Sequence, residues 1–261
     1  MKDCRVQVPS NRSLLRYGRS RPDYPRLLCF PHAGGAAANY RGWTAALSPL
    51  VDVIAVEYPG RGFRRREQPA RRIADLVHGI IPEILTEMTA PVILFGHSMG
   101  ALVAFEVLRV LPHRRLPVAA IMSGCRPPVL RGSEPEIHTL PDDEFIEELR
   151  KLDGTPEELL ADRDLMEIAM PVLRADFEAI ATYDPPKEFK LSCPVLVYGG
   201  EDDKSVSLQE LERWQEHADA SSPVRAFPGN HFFVRSAEQD VLSALQRDIR
   251  ALTPVVTTQR A

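Results

Sequence analysis

Ser98 occupies the centre of a Gly-x-Ser-x-Gly pattern at residues 96–100. The apolar run 92–95 before it is typical of a buried strand, and residues 101–110 after it have helical spacing. A serine on a sharp turn between a strand and a helix is exposed as a nucleophile, and the flanking glycines let the two elements approach each other. The pattern therefore predicts that Ser98 attacks a carbonyl group, with the backbone N–H of Met99 facing the same space.

A nucleophilic serine requires a histidine that accepts its proton and an acid that orients the histidine. Of the seven histidines, only His231 lies in a glycine-containing loop after the last predicted strand. Two acids, Asp202 and Asp203, follow the predicted strand at 194–198. We predict Asp203, because its place in the loop better suits a side chain that turns back over the sheet edge, and expect Asp202 to be exposed or to cap the loop. The order Ser98, Asp203, His231 is that of the α/β-hydrolases.

A Pro-His-Ala-Gly-Gly segment at residues 31–35 follows the short apolar run 27–30. Adjacent glycines directly after a strand leave backbone N–H groups exposed at the carboxyl edge of a sheet. In hydrolases with a serine on such a turn, this early loop supplies the second donor to the oxyanion of the tetrahedral intermediate. We therefore predict an oxyanion hole formed by the backbone N–H groups of Ala33 and Met99. His32 is expected to orient the loop through its ring nitrogens.

The composition is that of an ordinary globular protein, with 261 residues of which 44% are hydrophobic and 26% charged. The net charge of −4 argues against a protein that binds nucleic acid. No apolar run approaches the roughly 20 residues that span a membrane, and the N-terminal residues lead into no secretory signal, so we expect a cytoplasmic protein. The cysteines lie far apart with no Cys-x-x-Cys motif, which predicts reduced thiols and neither a metal site nor a disulfide framework: Cys4, Cys29, Cys125 and Cys193.

Strands and helices alternate through most of the chain, and the predicted strands are apolar on both faces. This is typical of a mostly parallel sheet covered by helices, so the predicted class is α/β, with a hydrolase core at residues 27–125 and 192–252. Residues 126–191 contain no convincing strand, and helices are predicted there at 142–152, 156–161 and 164–182. We expect this insertion to form a helical lid over the carboxyl edge of the sheet, with its apolar residues lining an acyl-sized pocket.

Basic residues are concentrated in two places. Lys and Arg outnumber Asp and Glu in residues 1–26, which are expected to form a basic, loosely ordered arm. The run Arg64-Arg65-Arg66 follows the strand predicted at 51–58. It is either a solvated loop or a contact for an acidic partner or a phosphate, and the sequence favours neither. At the other end of the chain, the tail 253–261 has no periodicity and is expected to be disordered.

Five segments together resemble the type II thioesterases of polyketide and nonribosomal peptide synthases. They are Phe-Pro-His-Ala-Gly-Gly at 30–35, Tyr-Pro-Gly-Arg-Gly at 58–62, Gly-His-Ser-Met-Gly-Ala at 96–101, Gly-Gly-Glu-Asp-Asp at 199–203 and Gly-Asn-His-Phe-Phe at 229–233. The resemblance implies an α/β-hydrolase core with a helical lid and a triad at Ser98, Asp203 and His231. It implies hydrolytic editing, in which stalled or wrong acyl groups are removed from the phosphopantetheine thiol of acyl or peptidyl carrier protein domains. It implies no cofactor beyond the phosphopantetheine that the substrate carries.

Other functions share the same residues. A carboxylesterase for small or medium-chain esters would use the same triad and differ in its rates on esters and thioesters. A medium-chain thioesterase that ends fatty acid synthesis would differ in the chain length of its product. A binding module with an inactive hydrolase site is the alternative from another class, and the complete Ser, Asp and His set argues against it.

Overall fold

The computed structural model describes residues 12–112, 117–130, 135–152, 157–186, 188–220 and 222–253. Its strands are β1 Leu14–Leu15, β2 Arg26–Phe30, β3 Asp52–Val56, β4 Val92–His97, β5 Ala119–Ser123, β6 Val195–Gly200 and β7 Arg225–Phe227. Within the described residues they form one seven-stranded sheet of order β1-β3-β2-β4-β5-β6-β7. All neighbouring strands are parallel except β1, which runs antiparallel to β3. The predicted α/β class with a mostly parallel sheet is confirmed.

Helices connect the strands and pack on both faces of the sheet. They are α1 Arg41–Leu47, α2 Ile73–Glu87, α3 Met99–Val110, α4 Asp142–Leu152, α5 Glu157–Ala161, α6 Arg163–Ala181, α7 Leu208–Glu212, α8 Phe233–Ser236 and α9 Glu238–Leu252. The capping box that opens α7 has both of its bonds, since Ser207 accepts from the backbone of Glu210 and Glu210 accepts from the backbone of Ser207. None of the described helices is long and apolar enough to cross a membrane.

The side chains of each strand alternate between the two faces of the sheet. Leu28 of β2 and Leu94 of β4 belong to a core cluster with apolar residues of α2, α3 and α7. Leu27 and Ile93, one position earlier, belong to a second cluster with apolar residues of α1 and α9. Because helices cover both faces, the central strands are apolar at every position rather than at every second one.

Leu14 and Leu15 form an edge strand rather than part of a loosely ordered arm. Both pair with β3, and their side chains are buried in the clusters on opposite faces of the sheet. The expectation of a loose arm is therefore wrong for this part of residues 1–26, because two leucines among arginines are too short a signal to predict a strand. Residues 1–11, like residues 254–261 of the expected disordered tail, lie outside the described residues.

The insertion between β5 and β6 is helical. Its described residues contain α4, α5 and α6 and no strand, apart from an isolated bridge at Leu191. The helices share an apolar cluster of their own, so the insertion has a small core separate from that of the sheet: Phe145, Leu149, Leu160, Met166 and Leu173. The predicted start of the middle helix at residue 156 lies outside the described residues.

Gly100, in the first turn of α3, lies against the last residue of β2. A Cβ atom at this position would lie 2.0 Å from the carbonyl oxygen of Phe30. Gly100→Ala is therefore expected to lower the free energy of unfolding by about 3 kcal/mol, the upper end of ordinary overpacking, because backbone atoms yield less readily than a side chain. Urea unfolding measures the change.

Gly79→Ala, in α2, is the control for this substitution. Outside the chain neighbours and the nearby backbone of α2, no described atom lies within 4 Å of a Cβ built at this position, and alanine favours a helix over glycine by up to about 1 kcal/mol. Gly79→Ala should therefore be as stable as the wild type or more so. A Gly100→Ala variant that behaved in the same way would contradict the close approach of α3 to β2.

Candidate active site

Ser98 connects β4 to α3 with φ 54° and ψ −119°. It is the only residue other than glycine with a positive φ in the described part of the chain. This backbone is strained for a residue with a Cβ atom, and such strain is found where a turn has to present a functional side chain. The backbone N–H of Ser98 donates to the carbonyl of Ser123 in β5 at 2.9 Å, which ties the turn to the neighbouring strand.

The imidazole of His231 joins Ser98 to Asp203. Its Nε2 lies 2.9 Å from the Oγ of Ser98, and its Nδ1 lies 2.7 Å from Oδ2 of Asp203. A neutral imidazole beside a carboxylate carries its proton on the nitrogen that faces the carboxylate, so the other nitrogen can accept the proton of the serine. The structure thus brings together the three side chains that the sequence selects.

The loop after β6 holds the carboxylate of Asp203. Oδ1 accepts the backbone N–H groups of Ser205 at 2.8 Å and Val206 at 3.1 Å, which leaves Oδ2 for His231. The side chain of Asp203 is fully buried. Asp202, the competing acid, is exposed, and its backbone N–H donates to the loop that precedes His231. Of the two acids, only Asp203 contacts the imidazole.

Ala33 and Met99 line the same cavity as Ser98. Met99 is the first residue of α3, so its N–H has no partner within the helix and lies at the positive end of the helix dipole. Among the described residues, no turn or loop hydrogen bond uses the N–H of Ala33. Two free backbone donors beside a serine are suited to bind a negatively charged oxygen.

The cavity beside Ser98 has a volume of about 140 Å³. Its apolar wall comes from α3, α4 and α6, and a wall of this kind favours a hydrocarbon chain: Met99, Leu102, Leu149, Leu152, Leu173, Phe177 and Ile180. Part of the insertion's apolar set therefore lines a pocket, as expected. Others pack within the insertion, as Phe145, Leu160 and Met166 do, whereas Ile168 is exposed.

Comparison with known proteins places this geometry in a family. A family model described as "Thioesterase domain" matches residues 25–251. Gramicidin S biosynthesis protein GrsT of Aneurinibacillus migulanus is 34% identical over 227 residues, which cover 86% of this chain and 89% of that protein.

The chain belongs to the thioesterase family.

Solved structures agree with the family match. BorB, a type II thioesterase from the borrelidin biosynthetic cluster, superposes with a TM-score of 0.83 at 37% identity, over 91% of this chain and 97% of that one. ClbQ from the colibactin pathway superposes with a TM-score of 0.82 at 33% identity, over 89% of this chain and 100% of that one. The resemblance to type II thioesterases is thereby confirmed, and the chain is a thioesterase of the serine-hydrolase type. Its described residues contain no cluster of three or more His, Cys, Asp or Glu that could hold a metal ion.

Two further histidines of the thioesterase lie near His231. His97 is fully buried, with Nδ1 2.9 Å from the hydroxyl of Ser123 and its ring centroid 5.2 Å from that of His231. Nδ1 of His32 lies 2.9 Å from the carbonyl oxygen of Ala33, in agreement with the expected loop-orienting role. Burial lowers the pKa of His32 and, further, that of His97, and the nearby His231 adds to both effects. Both rings are therefore neutral at pH 7.

A buried ion pair joins the insertion of the thioesterase to its core, and sequence reasoning missed both partners. Arg61 follows β3, and Asp176 lies on α6. Nη1 and Nη2 of Arg61 donate to Oδ2 and Oδ1 of Asp176 at 2.6 and 2.7 Å. The side chain of Asp176 is fully buried and that of Arg61 is 7% exposed. The Pro-Gly-Arg-Gly motif drew attention to the segment around Arg61, but nothing in the sequence near Asp176 indicates its partner.

The arginine run 64–66 does not act as a unit. Arg64 donates to the carboxylate of Glu67 and to the hydroxyl of Ser13, so it holds its own loop against β1. Arg65 and Arg66 are exposed, and neither guanidinium has an ion-pair or hydrogen-bond partner in the described part of the chain. The sequence leaves a solvated loop and a contact for an acidic partner open; Arg64 fits neither, because its side chain is only 11% exposed and is bonded within the protein.

His97 makes the stability of the thioesterase depend on pH. Its imidazole has a pKa of about 6.5 in the unfolded chain, whereas burial lowers the pKa of His97 well below this in the folded protein. Below about pH 6.5 the unfolded state therefore binds a proton that the folded state does not. The free energy of unfolding therefore decreases as the pH is lowered below about 6.5, by up to about 1.4 kcal/mol per pH unit for this residue.

We expect His97→Asn to lose stability less steeply than the wild type between about pH 6.5 and about pH 5. Urea unfolding at a series of pH values measures the slopes. His78→Asn is the control, because His78 is exposed on α2 and outside the site. Equal slopes for His97→Asn and the wild type would contradict the prediction.

Proposed function

We propose that this thioesterase hydrolyses acyl thioesters on the phosphopantetheine arm of carrier proteins, and that it removes stalled or aberrant acyl chains during polyketide or nonribosomal peptide biosynthesis. The observation that carries the proposal is the hydrogen-bonded chain Ser98–His231–Asp203 beside an apolar cavity. The similarity to a gramicidin S biosynthesis protein and to type II thioesterases supports the substrate class.

The first step transfers the acyl group to Ser98. Nε2 of His231 takes the hydroxyl proton as Oγ bonds to the thioester carbonyl carbon, and Asp203 stabilises the imidazolium that forms. The N–H groups of Ala33 and Met99 donate to the oxyanion, each contributing about 3 kcal/mol. The C–S bond then breaks, and the departing pantetheine sulfur receives the proton from His231.

The second step uses water. His231 takes one proton of the water as its oxygen bonds to the carbonyl carbon of the acyl-enzyme, and the same N–H groups bind the second oxyanion. The bond to Oγ then breaks, and His231 returns the proton to Ser98. The products are a carboxylic acid and the free carrier thiol. Because side chains and backbone of this chain perform every transfer, we propose that no cofactor is needed.

We further propose that residues 27–125 and 192–252 act as the catalytic core and residues 126–191 as a lid. Helices α4 and α6 of the insertion supply much of the apolar cavity wall, which supports this division. An apolar cover lowers the local dielectric constant and so strengthens the bonds to the oxyanion. A cytoplasmic location is proposed because the thiols of Cys29 and Cys193 are buried and form no disulfide.

A second cavity, of about 410 Å³, adjoins the first and shares His32, Ala33 and Leu173 with it. We call it the arginine groove, because Arg65 and Arg235 are among the residues that line it. Both arginines are exposed, and neither guanidinium has a partner in the described part of the chain. Free guanidinium groups bind phosphodiesters and acidic surfaces. We propose that the groove accepts the phosphopantetheine arm, with its phosphate near the two arginines.

Ser98→Ala is expected to reduce hydrolysis of an acylated carrier protein by more than about 10³-fold, because it removes the nucleophile. The fold should be unchanged, as measured by circular dichroism and the urea midpoint. Mass spectrometry of the carrier measures the released acyl group. A variant that retained more than a few per cent of the wild-type rate would contradict the assignment of Ser98.

The same assay separates the alternative functions. Rates on an acyl-pantetheine thioester and the matched oxygen ester distinguish a thioesterase for carriers from a carboxylesterase. A sharp preference for one medium chain length in the released acid would favour an enzyme that ends fatty acid synthesis. Failure of a fluorophosphonate to label Ser98 in the wild type would favour an inactive binding module.

Charge reversal in the arginine groove tests whether the groove binds the phosphate of the phosphopantetheine arm. Arg65→Glu/Arg235→Glu should raise KM for an acyl-phosphopantetheine about 100-fold or more, because two lost charge-assisted bonds, each worth about 1.5 kcal/mol or more, together exceed about 3 kcal/mol. KM for the matched acyl-pantetheine, which lacks the phosphate, should change less than about twofold. Steady-state kinetics on the two substrates measures the difference.

Arg66→Glu is the matched control for this variant. Arg66 belongs to the same run and is also exposed, but it is not among the residues that line the groove. It should leave both KM values close to those of the wild type. An equal effect of Arg66→Glu, or an equal rise in KM for both substrates, would exclude a phosphate site in the groove.

A further inference from the structure

The peptide unit between Ala33 and Gly34 is held at both of its polar ends. Its carbonyl oxygen, that of Ala33, lies 2.9 Å from Nδ1 of His32. Its N–H, that of Gly34, donates to Oδ2 of Asp176 at 2.7 Å. Gly34 has φ +74°, a conformation that a glycine adopts without strain. Bonds at opposite ends of a planar peptide fix its rotation, and they therefore restrain the direction of the Ala33 N–H next to it.

Asp176 reaches this peptide from the insertion and not from the core. Its side chain is fully buried on α6, and both of its oxygens accept from Arg61. Nη1 of Arg61 also donates to the carbonyl of Gly35 at 3.1 Å. The ion pair thus bonds two successive residues of the loop, Gly34 through the carboxylate and Gly35 through the guanidinium.

Leu173, one turn earlier on α6, adds a packing contact to the same loop. A Cβ atom built at Gly34 would lie 2.6 Å from Cδ2 of Leu173, so this side chain lies directly against the loop. Leu173 also lines both the catalytic cavity and the arginine groove. The position of α6 therefore sets the position of the loop through a hydrogen bond, an ion pair and a packing contact.

We propose that Arg61 and Asp176 are positioning residues for the oxyanion hole, so that the Ala33 donor is in place only when α6 is seated on the core. The inference rests on the proposed function, in which Ala33 binds the oxyanion. The buried pair holds the seated position, because small displacements would leave a charge buried and unpaired. When α6 moves away, Gly34 loses its acceptor and the peptide is free to rotate. The insertion thereby couples the covering of the acyl chain to the assembly of the oxyanion hole.

Asp176→Asn tests the proposal, since it keeps the shape of the side chain and removes the charge that holds Arg61 and the Gly34 N–H. We expect kcat for an acyl-pantetheine thioester to fall about 30- to 100-fold, with KM changed less than about threefold. The pH profile of kcat/KM should match that of the wild type, because His231 and Asp203 are untouched. Affinity for a trifluoromethyl ketone, whose adduct with Ser98 places an oxyanion in the hole, should fall by the same factor as kcat/KM.

Glu178→Gln is the matched control. Glu178 lies on the same helix and pairs with Arg71 of the core, but it does not contact the loop, so kcat should stay close to that of the wild type. The double variant Arg61→Met/Asp176→Leu provides a second test should Asp176→Asn fold poorly. It replaces the buried pair by apolar side chains of similar volume, which are well tolerated, yet it offers no acceptor to Gly34 and should show the same loss of kcat.

Several outcomes would overturn the proposal. A loss of stability without a fall in kcat would show that the pair is purely structural. A fall in kcat with unchanged affinity for the ketone, or an equal fall in Glu178→Gln, would show that the oxyanion hole is not what the pair controls. Absence of thioester hydrolysis by the wild type would overturn this inference together with the proposed function, whereas an active wild type with a fully active Asp176→Asn would overturn this inference alone.

Discussion

The hydrogen-bonded register of the parallel strands is the constraint that assembles the site. Phe30 of β2 pairs with Gly96 of β4, so the loop after β2 leaves the sheet beside the turn that carries Ser98. Gly200 of β6 pairs with Phe227 of β7, so the loops that carry the acid and the histidine also leave the sheet side by side. Because the strands are parallel, these loops all emerge at one edge, where the ligands of open α/β sheets bind.

Register brings the loops within reach of each other, and local hydrogen bonds then select the side chains that meet. The two N–H groups that hold Oδ1 of Asp203 turn its other oxygen toward His231. The neutral ring of His97 lies beside the imidazole of His231, with 5.2 Å between the ring centroids, and adds no charge there. The site thus combines long-range placement by the sheet with short-range orientation by its loops, and its geometry depends on both.

One face of α6 both lines the cavity beside Ser98 and contacts the loop after β2. Leu173, Asp176, Phe177 and Ile180 are spaced by three or four residues and so share one side of the helix. Three of them line the apolar cavity, and the fourth holds the loop after β2. A carboxylate within an apolar stripe is costly unless it is paired and hydrogen-bonded, and Arg61 and Gly34 supply both partners. The same packing that forms the apolar wall of the cavity therefore brings the carboxylate to the loop.

Local patterns were sufficient for the fold class and for the three side chains of the site, because each left a short-range signal. The apolar strands predict a sheet covered by helices on both faces, and the Gly-x-Ser-x-Gly pattern predicts which serine is the nucleophile. A loop aspartate and a loop histidine follow later strands in the expected order. The edge strand of Leu14 and Leu15 could not be predicted from local patterns, because it forms by pairing with β3, which lies far along the chain. The different roles of Arg64 and its exposed neighbours also depend on tertiary contacts, since Arg64 is bonded to Ser13.

The pairing of Arg61 with Asp176 is determined only by the tertiary structure. The two residues are 115 positions apart. The local sequence around Arg61 predicts only a turn, and that around Asp176 predicts only an amphipathic helix. A helix sequence specifies which residues share a face. The contacts of that face depend on how the helix packs on the finished sheet, and they appear only when the chain is folded.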